Sequence, residues 1–214
     1  MSKAQYVETF DDGYGGWTGQ ARQGEEMRTL KLGPSSVNAR SPFMLDSNHA
    51  PPGPGYVQIL FILLATYDKR TSDLYYPYSG ANRFVKGNYP TDFTNAKLIL
   101  RLRGEFREGG AKLVLFAHSR FDDYRLAHLL TGQLFEVARQ WSEQSVTLTT
   151  KPDQWTALGG RWDGPEYHLG PIEQVLRDVN VDIILATYSV DVVPTGSLAL
   201  NAGLADSFKS SEAY

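Results

Sequence analysis

Glycine and proline punctuate this chain in a way that favours short strands over long helices. The 20 glycines and 11 prolines fall mostly between short runs rich in β-branched and aromatic residues. That is the pattern of strands closed by turns. About ten strands are expected with no recurring strand–helix alternation, which points to a sandwich rather than a parallel sheet. The fold expected is all-β, a two-sheet antiparallel β-sandwich of the jelly-roll kind, with one or two short helices. A single domain is expected over 1–206, with a flexible tail over 207–214.

The runs place the elements. Gln5 to Phe10 reads as a first strand and Asp11-Asp12-Gly13-Tyr14-Gly15-Gly16 as the turn after it. Met27 to Leu32 gives a short strand, and Tyr56 to Tyr67, bounded by proline and Gly55, a buried one. Lys97 to Leu102 and Lys112 to Phe116 read as a hairpin joined by a charged loop. Tyr124 to Leu130 has the leucine spacing of a short helix, whereas Leu134 to Val137 and Val146 to Thr149 return to strand patterns. Pro171 to Arg177 suggests one or two helical turns, and Val179 to Val193 and Ser197 to Leu204 close the chain as strands. Trp17, Trp141 and Trp155, on or beside these strands, are expected in the core.

Charge and composition exclude several functions. Lys and Arg total 21 against 24 acidic residues, a net charge of −3, so no pervasive positive field gathers phosphates and no nucleic-acid partner is expected. The chain has no cysteine, which removes disulfides, thiolate metal sites and cysteine nucleophiles. The apolar run from Ile59 to Ala65 is too short to cross a bilayer, and the start of the chain has no signal-like apolar stretch. No membrane partner is expected, and the chain as given reads as cytoplasmic by default. His49, His118, His128 and His168 show no metal-ligand spacing, and there is no nucleophile elbow or phosphate loop.

The opening Glu8-Thr9-Phe10-Asp11-Asp12-Gly13-Tyr14-Gly15-Gly16-Trp17 resembles the first strand and turn of galactose-binding-like jelly rolls, a group that includes many carbohydrate-binding modules. Thr195 to Asn201 is similar to their closing strand, and Trp141 to Gln144, Val146 to Thr149 and Gln154-Trp155 to their middle strands. The resemblance implies a carbohydrate ligand and a structural calcium ion where the first and last strands meet, with Asp11 and Asn201 as its ligands. Asn201 stands where the resemblance implies aspartate, which removes a charge from such a site. Asp11 and Asp12 equally serve the turn through bonds to their own backbone.

Sugar recognition needs flat aromatic faces and planar polar groups, and the long stretch from Asp68 to Phe93 supplies both. Tyr67, Asp68, Arg70, Tyr75, Tyr76, Tyr78, Asn82 and Arg83 are the expected ligand-binding residues there, with Phe84, Tyr89 and Phe93 among its rings. Trp162 and Asp163, in a glycine-flanked segment, form a second candidate. Rings in a long loop also serve to pin it to the domain. No catalytic residue is assigned. For a lyase or glycosidase on this fold, Arg101, Arg103, His118 and Arg120 would have to converge in one cleft. In a structural or assembly protein, the aromatic loop would instead be a contact between copies in a homo-oligomer. The leading expectation is a non-catalytic carbohydrate-binding module.

Overall fold

The computed structural model describes residues 5–18, 30–33, 36–40, 44–46, 57–66, 82–107, 112–158, 168–188 and 195–206. In chain order the first half carries β1 (Gln5–Glu8), β2 (Trp17–Thr18), β3 (Leu30–Gly33), β4 (Ser36–Arg40), β5 (Met44–Asp46), β6 (Val57–Ala65) and the short helix α1 (Arg83–Lys86). The second half carries β7 (Ala96–Arg107), β8 (Lys112–Phe121), β9 (Tyr124–Leu129), β10 (Ser142–Thr147), β11 (Thr156–Leu158), helix α2 (Ile172–Arg177), β12 (Asp182–Tyr188) and β13 (Thr195–Asp206).

These strands make two antiparallel sheets. The first runs β10-β7-β13-β4-β3, with β1 also on β13, and the second β11-β9-β8-β12-β6-β2, with β5 also on β6. The chain crosses between them repeatedly, and its last strand lies in the middle of the first sheet, bonded to β7, β4 and β1. This is the two-sheet jelly-roll sandwich that the strand pattern and the resemblance imply.

Period-2 alternation builds the core. Leu98, Leu100 and Leu102 of β7 face Leu113, Leu115 and Ala117 of β8, and all six are at most 2% exposed. Each leucine so buried contributes roughly 1.5–3 kcal/mol of apolar transfer free energy. The second sheet is apolar on its other face too: Leu63, Val114, Phe116, Ala127, Leu129, Leu158, Ile184 and Ala186 form a separate buried cluster. The outward positions of β7 differ, since Lys97, Arg101, Arg103 and Glu105 are exposed. The two sheets therefore differ in which face is left for a polar ligand.

Three expected elements are corrected. Lys97–Leu102 and Lys112–Phe116 are not hairpin partners: β7 pairs with β10 and β13 in one sheet, and β8 pairs with β9 and β12 in the other. Apolar alternation fixes which face of a strand is inward but not which strand lies beside it. The hairpin is instead β8 to β9, turning at Asp122-Asp123 with Asp122 at φ 46°. Tyr124 to Leu130 is that second strand rather than a helix, because both of its faces are apolar and a doubly buried strand loses its alternation. Leu134 to Val137 contributes only an isolated bridge, Phe135 to Leu113.

The segment before β10 is held to it by glutamine side chains acting as strand surrogates. Gln133 bonds both backbone groups of Thr147, at 2.9 Å each. Gln144 returns the pattern, accepting from Glu136 N at 2.7 Å and donating to Glu136 O at 2.6 Å. These amides satisfy backbone groups along an edge that would otherwise template further pairing. Replacing Gln133 and Gln144 together by alanine is expected to lower stability by about 1–3 kcal/mol, at roughly 0.5–1.5 kcal/mol per net bond partly recovered by water. Urea unfolding reads this directly.

Candidate functional site

The outer face of the first sheet carries the most open array of recognition groups among the described residues. Arg101 and Arg103 are two apart on β7 and so project to the same side, about 7 Å apart along the strand. Both guanidinium groups lie over the ring of Trp141, Arg101 at 5.7 Å and Arg103 at 4.8 Å from its centroid. These are cation–π distances, worth about 0.5–1 kcal/mol each at an exposed site. The indole is half-buried beneath them and both arginines are exposed. Trp141, expected in the core, is therefore a surface residue: it precedes β10, an edge strand, and its ring lies on the solvent side.

The neighbouring charges leave these forks available. Glu143 registers opposite Arg101 across the β7–β10 ladder, yet Arg101 makes no ion pair among the described residues. Glu105 is paired with Arg139 at 3.4 Å. Lys97 is exposed at the other end of the row. On the opposite flank, the β13 residues in register with Glu105, Arg103, Arg101, Ile99 and Lys97 are Ser197, Ala199, Asn201, Gly203 and Ala205. Ala199, in register with Arg103, is itself buried at 5% exposed, so the exposed groups of this row are those of β7.

The turn that carries the family-like sequence has a structural role. The Glu8 carboxylate is fully buried, accepts from Phe10 N at 2.9 Å and from the Tyr6 hydroxyl at 3.1 Å, and lies 3.4 Å from the Arg83 guanidinium. Burial, then the nearby Glu8 charge, holds the Tyr6 hydroxyl protonated far above its ordinary range. Phe10 adopts φ 62°, a left-handed conformation costly for a non-glycine residue, and its bond to Glu8 fixes it there. The turn then docks on α1: Arg83 N donates to Gly15 O at 2.8 Å, and a Cβ on Gly16 would stand 2.5 Å from Asn82 Cα.

The expected ligand groups divide accordingly. Asn82 is fully buried and its side chain is spent on the fold, accepting from Phe84 N and Val85 N as the cap of α1 and donating to Ala65 O. Its role as a ligand group is corrected, because capping leaves none of it at the surface. Arg83 is partly exposed but turned toward Glu8, Asp12 and Gly13 O. Phe84 and Phe93 are buried and Tyr89 packs against them, so these rings pin the segment to the domain. Tyr67, Asp68, Arg70, Tyr75, Tyr76, Tyr78, Trp162 and Asp163 lie outside the described residues.

The catalytic grouping does not assemble. Arg101 and Arg103 are in the first sheet, whereas His118 and Arg120 are on β8 in the second. His118 is buried beside Asp182, Nδ1 to Oδ1 3.5 Å, and the backbone N–H and carbonyl of Arg120 bond to the side-chain amide of Asn180 near the end of the strand.

Of the residues implied for calcium, Asp11 lies in the turn after β1 and Asn201 on β13. No three His, Asp or Glu side chains converge on a metal-sized site among the described residues. Asn201 registers opposite Arg101, whose cation opposes a divalent ion. Glu8, on the first strand in register with Ala202 of the last, already faces the Arg83 guanidinium.

No protein-family model and no curated protein matches this chain. Among solved structures it is similar to the family 11 carbohydrate-binding module of the cellulosomal cellulase Lic26A-Cel5E of Clostridium thermocellum, at 9% identity and TM-score 0.48, over 99% of this chain and 100% of that one. It is also similar to the L4b domain of human laminin alpha-2, at 10% identity and TM-score 0.45, over 95% of this chain and 98% of that one.

Proposed function

We propose that the protein is a non-catalytic carbohydrate-binding domain whose ligand lies along the outer face of the first sheet. The observation that carries this reading is the exposed Arg101–Arg103 pair over Trp141. A guanidinium in cation–π contact with an aromatic ring keeps N–H donors for other partners, which suits the dense hydroxyl pattern of a saccharide. A sheet face offers an extended chain several such positions in line. The other sheet presents buried apolar side chains on both faces among the described residues, which is no surface for a polar polymer.

A glycan array probed with the purified protein tests the reading. Binding is expected, and Trp141→Ala is expected to weaken it by roughly tenfold or more, the scale of losing a half-buried aromatic support with both arginines released. Loss with Tyr75→Ala or Trp162→Ala and none with Trp141→Ala would move the site to those residues. Silence across the array would overturn the reading. The resemblance alone proposes calcium. With the donors described above, binding is expected to be the same in calcium and in chelator, and a chelator-induced loss would restore the metal.

A further inference from the structure

We infer that the glycan this face takes is acidic, a polymer carrying carboxylates rather than a neutral chain; this rests on the reading of the face as a glycan site. Among the described side chains, the exposed charges of β7 and β10 are Lys97, Arg101, Arg103, Glu105 and Glu143. Glu105 is met by Arg139, which leaves three cations against Glu143 alone. The chain as a whole carries a net charge of −3, so the cations on this face run against the balance of the protein.

Arginine rather than lysine stands at both central positions. A guanidinium meets a carboxylate with two parallel N–H···O bonds and a neutral hydroxyl with fewer and weaker ones. Contact with Trp141 restrains both side chains, so less freedom remains to be lost when an anion arrives. Two forks on one strand face, about 7 Å apart, suit carboxylates repeated along an extended polymer rather than a single small anion. Nucleic acid is the other anionic polymer, and it would draw on a wider positive field than a protein of this net charge supplies.

The test is affinity electrophoresis or calorimetry with polygalacturonate, its fully methyl-esterified form, a neutral β-glucan and polyuridylate. Polygalacturonate is expected to bind, and esterification, which removes the charge and keeps the chain, is expected to abolish it. Arg103→Gln and Arg101→Gln are each expected to weaken binding by about tenfold to a hundredfold. Arg101→Lys with Arg103→Lys is expected to recover only part, since it keeps charge and loses the forks. Equal melting temperatures of the variants, expected at exposed positions, separate lost contacts from lost folding. Equal binding of β-glucan and polygalacturonate would overturn the acidic ligand and leave the glycan site standing. Binding of polyuridylate without polygalacturonate, or of no polymer at all, would overturn both.

Discussion

Replacing Gly15 by alanine is expected to destabilise the protein by about 3 kcal/mol, and most of that loss should vanish when Glu8 is alanine as well. Gly15 adopts φ 60°, and a Cβ built on it overlaps the buried Glu8 carboxylate. Two costs add. A left-handed alanine costs roughly 1–2 kcal/mol, and forcing the carboxylate aside costs more because its bonds to Phe10 N and Tyr6 are then broken. Glu8→Ala alone should cost about 2–4 kcal/mol, since it leaves Phe10 N and the Tyr6 hydroxyl without their acceptor. The Arg83 contribution to that figure is modest, because its side chain is 37% exposed and water can replace Glu8 around it. In the Glu8→Ala background only the backbone term of Gly15→Ala remains, about 1 kcal/mol. Urea unfolding of the two single variants, the double variant and the parent gives the coupling. Strict additivity would show that the turn does not rest on the carboxylate.

The same turn shows what the amino-acid sequence makes legible. Tyr6, Glu8 and Phe10 alternate, and that alternation puts Glu8 on the face of two aromatic residues that are buried, a readable sign of a carboxylate needing partners. Its principal cation could not be read: Arg83 lies 75 positions further along the chain and reaches Glu8 only through the docking of α1. The strand over Lys97–Leu102 is equally plain, with leucines inward and Lys97 and Arg101 outward by period two, whereas its continuation to Arg107 falls in what reads as a charged loop. What alternation could not supply was the neighbour. Trp141 meets the arginines because β10 pairs with β7, whereas the sequence offered β8 as the nearer partner. The helix expected over Tyr124–Leu130 failed for a related reason: Leu126 and Leu130 face one apolar cluster and Ala127 and Leu129 the other, and four apolar residues in five mimic helical spacing. Local pattern thus gave orientation, and long-range pairing decided both the fold's connections and its candidate site.

Acid is expected to destabilise this protein through His128, by roughly 3 kcal/mol between about pH 6.5 and about pH 4. The side chain is 4% exposed on the inward face of β9, its ring 6.4 Å from that of Trp155, and Nδ1 has no hydrogen-bond partner. Burial pushes the imidazole down to about 4, against the smaller opposing pull of a Gly170 backbone bond and the Glu173 charge. In the unfolded chain it titrates near 6.5. As pH falls below that value, the unfolded state takes up a proton that the folded state refuses. Stability therefore drops by up to about 1.4 kcal/mol per pH unit until the folded group also titrates. Carboxylates titrate at the lower end of this window, so the informative quantity is the difference between the parent and His128→Gln. The variant is expected to lose packing at neutral pH and to show a shallower fall between about pH 6.5 and about pH 4.5. Parallel curves would mean that His128 is protonated in the folded protein and finds a partner within the core. Convergence of the two as pH falls would place the proton on the unfolded chain.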